Sequence, residues 1–416
     1  MRFPRPPFRI DPRPALGLAG LLVFFLLASA PLGAVLARDG GVPDEAGLIR
    51  LARKADALAE QVVTHGKVVG LAIAIVHEDR VLLQRGHGVV KVGSREQVDA
   101  DTVFRLASLS KAFAGTLAGL LVREGALRWD TRVVDPLPSF RLGRPGAAQR
   151  VTLRDILSHQ VGLPFHALDR DLEADEPYPV LAGKLADAPL TCEPGQCYAY
   201  QNIAFSLVGD MVFAATGDFY THQVERRIFH PLRMRTATFG REALESSRRW
   251  ARPHVRGRRG WVAVRPKDTY YRIPPAAGIN ASIADLARWM IAQNGGAPDV
   301  LPADLLAELQ RPLVRTPNEL QRGGWRRARL RDAHYATGWR VFDYAGHKLV
   351  FHAGAVQGYR GMIGLLPEAR FGIALLWNCE SSKPSGLMPE VLDRFLGLPE
   401  RDWTGLARVP DRRRTR

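Results

Sequence analysis

The pattern of apolar and polar positions places strands at both ends of the chain. Residues 71–75 alternate large and small apolar side chains, and a polar turn leads into a second strand over 81–84 that continues toward residue 90. Four more strands are predicted near the other end, over residues 335–344, 347–352, 361–366 and 371–378. Alternation with a period of two is typical of strands whose two faces meet different surroundings. Strands at both ends of the chain predict one sheet assembled from both.

Helical signals dominate the region between these strands. Apolar runs over 112–122 and 202–215 predict two buried helices, and a third short helix is expected over about 387–396. Helix starts are marked by one N-cap and two capping boxes, namely Asp44 for a helix over 44–64, Thr152 with Asp155, and Ser282 with Asp285. The arginine-rich stretch 248–267 is poorly periodic and predicts a surface loop.

These elements predict a sheet lobe interrupted by a helical lobe. The sheet lobe is expected over about 44–111 and 270–400, and the all-helical lobe over about 112–269. Residues 401–416 are basic and lack periodicity, which predicts a frayed tail. A ligand site is expected in the seam between sheet and helical lobe.

The amino terminus has the features of a targeting segment. Four arginines precede an apolar block over 15–30, and Ala28-Ser29-Ala30 offers a small-residue cleavage site, with a second at 35–37. If uncut, residues 15–37 are long enough to span a bilayer. Residues 1–37 are therefore expected to be a signal peptide or a membrane anchor. In either case the rest is exported, to be periplasmic and soluble or anchored to the inner membrane.

Composition narrows the choice of partners. The formal charge of +16 is carried mostly by arginine, which makes up 50 of the 58 basic residues. Such a charge favours an anionic membrane face or cell-wall polymer, although a general preference for arginine on solvated surface explains it as simply. We find no zinc-finger spacing, nucleic-acid signature, phosphate-binding glycine loop or dinucleotide fingerprint. We therefore expect no metal, no cofactor and no nucleic-acid partner.

Three cysteines occur, and two flank a turn. Cys192 and Cys197 enclose Glu-Pro-Gly-Gln, in which Pro-Gly is a strong turn signal. A tight turn in an exported protein favours a disulfide between them over two free thiols. Cys379 lies in an apolar stretch and is expected to be a small buried side chain.

Residues 104–113 carry the candidate chemistry. They contain Ser108 and Lys111, and with 13 Ser and 8 Lys in 416 residues roughly 0.25 Ser-x-x-Lys pairs are expected by chance. Three residues apart on a helix, the hydroxyl and the amine share a face. A serine nucleophile needs such a base, because a free hydroxyl is a weak nucleophile. The alternative is an ordinary serine near a helix start beside a lysine that extends to solvent.

Two further motifs follow in order. Tyr200-Gln201-Asn202 is the one Tyr-x-Asn in the sequence, where 9 Tyr and 5 Asn predict roughly 0.1 by chance. His352-Ala353-Gly354 closes a predicted strand. A His-x-Gly alone is uninformative, but three motifs in this order are specific.

In these motifs the chain resembles the serine hydrolases of the class C β-lactamase and D-alanyl-D-alanine carboxypeptidase type. The resemblance covers about residues 47–396 and includes the stretches 151–163, Glu193-Pro194-Gly195 and 277–282. It implies an α+β, β-lactamase/transpeptidase-like fold, in which an antiparallel sheet flanked by helices carries an inserted all-helical lobe. Residues 44–400 would form this serine hydrolase domain.

The resemblance also implies roles for the motif residues. Ser108 would be acylated, Lys111 would keep Ser108 or Tyr200 poised for proton transfer, and Tyr200 would relay the proton to the leaving group. Asn202 would bind the substrate amide or hold Lys111. The backbone amides of Ser108 and Ala355 would form the oxyanion hole, and Gly354 would allow close approach of the strand.

One departure limits the substrate class. The β-lactamases of this type carry Lys-Thr-Gly where this chain has His352-Ala353-Gly354, a sequence that resembles the carboxypeptidase, D-peptidase and esterase branches. His352 would be either a cation that faces an anion or a neutral hydrogen-bond donor. Asp155 and His159 could form a triad with Ser108, but their place in and after a short capped helix favours structural roles.

The sequence thus predicts an exported hydrolase that acts through an acyl-enzyme on peptide, amide or ester substrates. Its partner would be a peptidoglycan-type peptide, an ester or a β-lactam. The alternative is a catalytically weak penicillin-binding-type sensor or cell-wall binding module.

Overall fold

The computed structural model describes residues 42–406, so the predicted leader and most of the predicted tail lie outside the described residues. The strands are Gly70–His77 (β1), Arg80–Gly88 (β2), Val103–Arg105 (β3), Thr238–Phe239 (β4), His254–Gly257 (β5), Gly260–Ala263 (β6), Ile279–Ser282 (β7), Val314–Arg315 (β8), Leu330–Tyr335 (β9), Arg340–Tyr344 (β10), His347–Val356 (β11), Tyr359–Leu366 (β12) and Phe371–Trp377 (β13).

Among the described residues, seven α-helices lie between β3 and β5 in the sequence and form the helical group, and the others precede β1 or follow β6. The helices are Glu45–Thr64 (α1), Ser110–Arg123 (α2), Leu153–Leu157 (α3), Asp169–Glu173 (α4), Tyr178–Lys184 (α5), Ile203–Thr216 (α6), Tyr220–Val224 (α7), Arg241–Ser246 (α8), Pro274–Ala277 (α9), Ile283–Ile291 (α10), Ala303–Leu309 (α11), Trp325–Arg329 (α12) and Leu387–Phe395 (α13). Within the described range no single helix could cross a membrane. The consecutive segments Ile203–Thr216 and Tyr220–Phe229 reach the length and composition only together, and they are bent by 82°.

One eight-stranded antiparallel sheet dominates the fold, in the order β2-β1-β13-β12-β11-β10-β9-β8. Strand β1 pairs with β13 from Leu71 opposite Trp377 to His77 opposite Phe371. Strands from the two ends of the domain are therefore neighbours within one sheet, which confirms the predicted assembly and the α+β class.

Both faces of the sheet are covered, and β1 shows why its residues alternate in size. Its small residues Ala72 and Ala74 belong to the core on the side of the helical group and α10. Its large residues Leu71, Ile73 and Ile75 belong to a second core under α1 and α13. Because successive strand residues face opposite sides, each core receives one set.

Two predicted segments differ from the structure. Residues 335–344 are two strands, β9 and β10, joined by a turn in which Ala336 N–H donates to the Trp339 carbonyl at 2.7 Å and Gly338 adopts a φ of +76°. The arginine-rich stretch contains the hairpin β5–β6, and His254 at its start is fully buried. The periodicity of the sequence showed neither feature. The first depends on a turn at one glycine, and the hairpin strands have only one fully buried residue, so they show little apolar alternation.

Some of the predicted helix caps are confirmed, while the second capping box and the frayed tail differ from the prediction. Asp44 caps α1 and the Thr152–Asp155 capping box starts α3, as predicted. Ser282 caps α10, but the Asp285 carboxylate accepts from Thr236 instead, so the second predicted box is only half formed. Residues 401–406 are packed rather than frayed, since the Glu390 carboxylate accepts the backbone N–H groups of Trp403 and Thr404.

Strand β11 runs from the sheet to the candidate site. Its first half pairs with β10 as far as Phe351, which lies opposite Arg340, while its second half keeps only β12 as a strand neighbour. There the 3₁₀ turn Ala107–Leu109 packs against it. A Cβ on Gly354 would collide with the Leu106 carbonyl oxygen and lie 3.3 Å from the Leu109 nitrogen. Only glycine fits this crossing of strand and turn.

Gly354→Ala should therefore destabilise the fold. The added methyl group meets backbone on both sides, so we expect a loss of about 1–3 kcal/mol in the free energy of unfolding, measured by urea denaturation. Gly183→Ala is the matched control, because Gly183 lies in helix α5 and an added methyl group there would have no neighbouring atom within 4 Å. That control should be neutral or stabilising. Wild-type stability in Gly354→Ala would contradict the close crossing.

Candidate active site

Ser108 stands out by its exposure. It lies in the turn Ala107–Leu109, directly before helix α2. Every residue from Thr102 to Gly119 is buried except Ser108, which is partly exposed. The preceding residue, Ala107, has a φ of +50°, a conformation that costs energy for a residue with a side chain. The fold thus presents one hydroxyl from an otherwise buried segment.

Lys111, three residues after Ser108, is completely buried. Its Nζ donates to Asn202 Oδ1 at 2.8 Å and to the Ala276 carbonyl oxygen at 3.1 Å. Burial lowers the pKa of Lys111 to about 7; the Asp169 carboxylate opposes this shift and the Arg340 guanidinium adds to it. The amine therefore changes between its cationic and neutral forms near neutral pH.

Tyr200 completes the contact with the serine. Its side chain is 6% exposed, and its hydroxyl lies within interaction range of the Ser108 hydroxyl. Lys111 Nζ lies 4.7 Å from the centre of the ring. Burial raises the pKa of Tyr200, and the interaction with the Ser108 hydroxyl offsets this rise only in part, so the phenol is protonated at neutral pH. The three predicted catalytic residues are therefore in one cluster.

Asn202 links Lys111 to a buried carboxylate. While its Oδ1 accepts from Lys111, its Nδ2 donates to Asp169 Oδ2 at 2.7 Å. Because a carboxylate only accepts hydrogen bonds, Asp169 fixes which end of the amide faces the lysine. Of the two roles expected for Asn202, the structure shows the contact with Lys111.

His352 is buried, with both ring nitrogens occupied. Nε2 lies 3.1 Å from the Tyr335 hydroxyl and Nδ1 lies 2.9 Å from the Ala353 carbonyl oxygen. A carbonyl only accepts, so Nδ1 carries the proton and Nε2 accepts from the tyrosine. Burial lowers the pKa of His352 well below its ordinary value, with Arg340 and Lys111 adding to the shift. The imidazole is therefore neutral and supports Tyr335.

The predicted oxyanion residues lie on the free edge of β11. Gly354 touches the serine turn, and Ala355, the next residue, is exposed to solvent. This edge lacks β10 as a neighbour, so a substrate could lie along it between the strand and Ser108. A side chain at position 354 is excluded by the turn itself, which is a stricter reason for glycine than substrate access.

The cysteine turn borders Tyr200. Cys192 and Cys197 form a disulfide, as predicted, with their Cα atoms 6.3 Å apart, and Cys379 is buried. After the bridge, Ala199 N–H donates to the His159 carbonyl at 2.9 Å. The bridged loop is thus tied to the segment that follows helix α3.

His159 and Asp155 have structural contacts. His159 Nδ1 accepts the Gln201 N–H at 3.1 Å, and its ring lies 4.3 Å from that of Tyr200. Asp155 closes the capping box of α3.

Four residues of the site had no sequence signal. His166, Asp169, Tyr335 and Arg340 surround the cluster but share no spacing with the three motifs. Arg340 lies 5.6 Å from the ring centres of both Tyr200 and Tyr335 and is paired with Glu319 at 2.9 Å. Their positions follow from the packing of separate elements, which no local motif encodes.

Comparison with known proteins agrees with this geometry. A family model described as Beta-lactamase matches residues 55–396. The Unguisins hydrolase ungD of Aspergillus violaceofuscus is 26% identical in an alignment 382 residues long that covers 81% of this chain and 64% of that protein. The chain thus spans less than two thirds of that curated relative.

Two solved structures show the same fold. The octameric penicillin-binding protein homologue from Pyrococcus abyssi superimposes with a TM-score of 0.74 at 24% identity, over 86% of this chain and 80% of that one. The D-amino acid amidase from Ochrobactrum anthropi SV3 gives 0.66 at 19% identity, over 83% and 98%. The β-lactamase/transpeptidase-like fold is confirmed. Since the family model covers most of its length, the chain belongs to the Beta-lactamase family of serine hydrolases.

Proposed function

We propose that this protein is an exported serine hydrolase that acts through an acyl-enzyme on peptide, amide or ester substrates. The observation that carries the proposal is the cluster in which the Tyr200 hydroxyl interacts with Ser108 while the Tyr200 ring lies 4.7 Å from the buried Lys111 amine, whose pKa is about 7. An ordinary lysine, with a pKa near 10.4, would be protonated at neutral pH and could not accept a proton. With a pKa of about 7, a substantial fraction of the Lys111 amine is neutral at that pH.

Acylation uses this cluster as a proton reservoir. The Ser108 oxygen bonds to the substrate carbonyl carbon while its proton passes to the Tyr200–Lys111 pair. The pair returns a proton to the leaving nitrogen or oxygen as that bond breaks. The backbone amides of Ser108 and Ala355 would stabilise the oxyanion, where losing one donor typically costs about 3 kcal/mol of barrier.

The His352-Ala353-Gly354 strand favours peptidase or esterase activity over β-lactamase activity. His352 is neutral and bonded to Tyr335, so it supplies no cation for a β-lactam carboxylate. Ala353 also has no side-chain hydroxyl that could bind such a carboxylate. The name of one structural neighbour, a D-amino acid amidase, agrees with an amide substrate.

Export is part of the proposal. The Cys192–Cys197 bridge supports an oxidising compartment, as does the arginine-flanked apolar segment at residues 15–37. Cell fractionation should place the full chain in the periplasm or the inner membrane, with the bridge mapped in the absence of reductant. Recovery in the cytosol with both thiols alkylatable would rule export out.

Ser108→Ala should abolish covalent labelling by fluorophosphonate and penicillin probes, because no other group in the proposal forms the adduct. Ser94→Ala, a partly exposed loop serine, is the control and should label like wild type. Undiminished labelling of Ser108→Ala would remove Ser108 as the nucleophile.

The wild-type protein, tested side by side on p-nitrophenyl esters, a D-Ala-D-Ala peptide and nitrocefin, should turn over one of the first two fastest. Stable labelling with no turnover of any substrate would favour the sensor or binding-module alternative.

A further inference from the structure

A second histidine, His166, lies at the edge of the proposed catalytic cluster. Its backbone N–H donates to the Tyr200 carbonyl at 2.9 Å, and the two rings are 5.4 Å apart. Unlike His159 and His352, it is not buried, since 43% of its side chain is exposed. It therefore combines contact with the site and access to water.

The imidazole of His166 is held by a buried carboxylate. Its Nδ1 is hydrogen-bonded to Asp169 Oδ2, and the Asp169 side chain is only 11% exposed. Because the carboxylate accepts, Nδ1 donates the proton, which leaves the lone pair of a neutral imidazole on Nε2. No protein group among the described residues is hydrogen-bonded to Nε2.

The same carboxylate oxygen serves the lysine side of the cluster. Asp169 Oδ2 also accepts from Asn202 Nδ2, whose amide oxygen accepts from Lys111. Asp169 thus joins His166 and Lys111 in one chain of hydrogen bonds. Other charged or titratable groups among the described residues lie near these hydrogen bonds. They are Arg340 on β10, His159 after α3, His352 on β11, and Tyr270, whose hydroxyl donates to Glu173 of α4.

We propose that His166, oriented by Asp169, is the general base that activates water in deacylation. The inference rests on the proposed function of Ser108. Nε2 would accept a proton from water as the water oxygen bonds to the acyl carbonyl carbon. The bond from that carbon to Ser108 Oγ then breaks, and Ser108 regains a proton from the Tyr200–Lys111 pair. The imidazolium returns its proton to that pair through solvent, so the cycle closes with no added reactant.

This assignment divides the two half-reactions between two groups. Tyr200 and Lys111 are buried beside Ser108, where they can serve the serine and the leaving group. Of the three histidines around the site, His159, His166 and His352, only His166 reaches solvent, from which the attacking water must come. The division predicts that loss of His166 slows deacylation far more than acylation.

His166→Asn separates the two steps. Asparagine tolerates the left-handed backbone at this position, where φ is +58°, so the loop should fold. With p-nitrophenyl acetate in stopped flow, we expect a burst of one equivalent at a rate within about threefold of wild type. The steady rate after the burst should fall about 100-fold or more, the usual contribution of a general base. Intact mass should then show the accumulated acyl-enzyme.

A matched control is His222→Asn. His222 Nδ1 lies 3.1 Å from Asp218 Oδ1, and 61% of the His222 side chain is exposed. It is therefore also a His–Asp pair, but none of its contacts among the described residues is with the cluster. It should keep the wild-type burst and steady rate. Added imidazole should partly restore the steady rate of His166→Ala, after subtraction of the rate of Ser108→Ala in the same buffer, and should not affect His222→Ala.

Two results would overturn the inference. One is a wild-type steady rate in His166→Asn. The other is an equal fall in burst and steady rates without imidazole rescue, which would mean that the pair only positions Asn202. Either result leaves Ser108 as the nucleophile as long as its burst persists. If the wild-type burst survives Ser108→Ala, the proposed function itself fails.

Discussion

The complete burial of Lys111 is the constraint on which the rest of the site depends. A buried ammonium is costly unless partners compensate it. Asn202, directly before helix α6, and the Ala276 carbonyl of α9 contact the amine, and α4 supplies the Asp169 carboxylate one residue further away. These partners hold the amine in place without pairing it directly with an anion. The balance leaves its pKa at about 7 instead of the ordinary value above 10.

The same constraint explains the arrangement of the large elements. Strand β11 crosses closely over the turn that precedes α2 and Lys111, and Gly354 permits that approach. The turn before α2 then leaves Ser108 as the one partly exposed residue of its segment. Neutral His352 and its Tyr335 partner lie behind the cluster on β11 and β9, where a charged histidine would add a second buried cation. The chemistry of the site therefore depends on how the sheet and the helices pack around the buried Lys111 amine.

Local sequence predicted the parts of this arrangement that local physics controls. Ser108 and Lys111 are one helical turn apart, the cysteines flank a Pro-Gly turn, and the large and small residues of β1 separate onto two cores, so their pattern is visible in the chain. The resemblance to a known family brought in Tyr200 and His352. His166 and Asp169 could not be predicted, because they belong to a loop and a five-residue helix placed only by packing. Likewise, the Glu390 contact with Trp403 that orders residues 401–406 joins segments with no shared periodicity.

The central claim is that Lys111 is an amine with a pKa near neutrality inside the folded protein. An NMR titration of protein with isotope-labelled lysine side chains tests it directly, since the chain has only eight lysines. The spectrum should contain one side-chain resonance, absent from Lys111→Ala, that titrates with a midpoint at about 7. A Lys111 resonance that titrates above about 10, like an ordinary exposed lysine, would contradict the account.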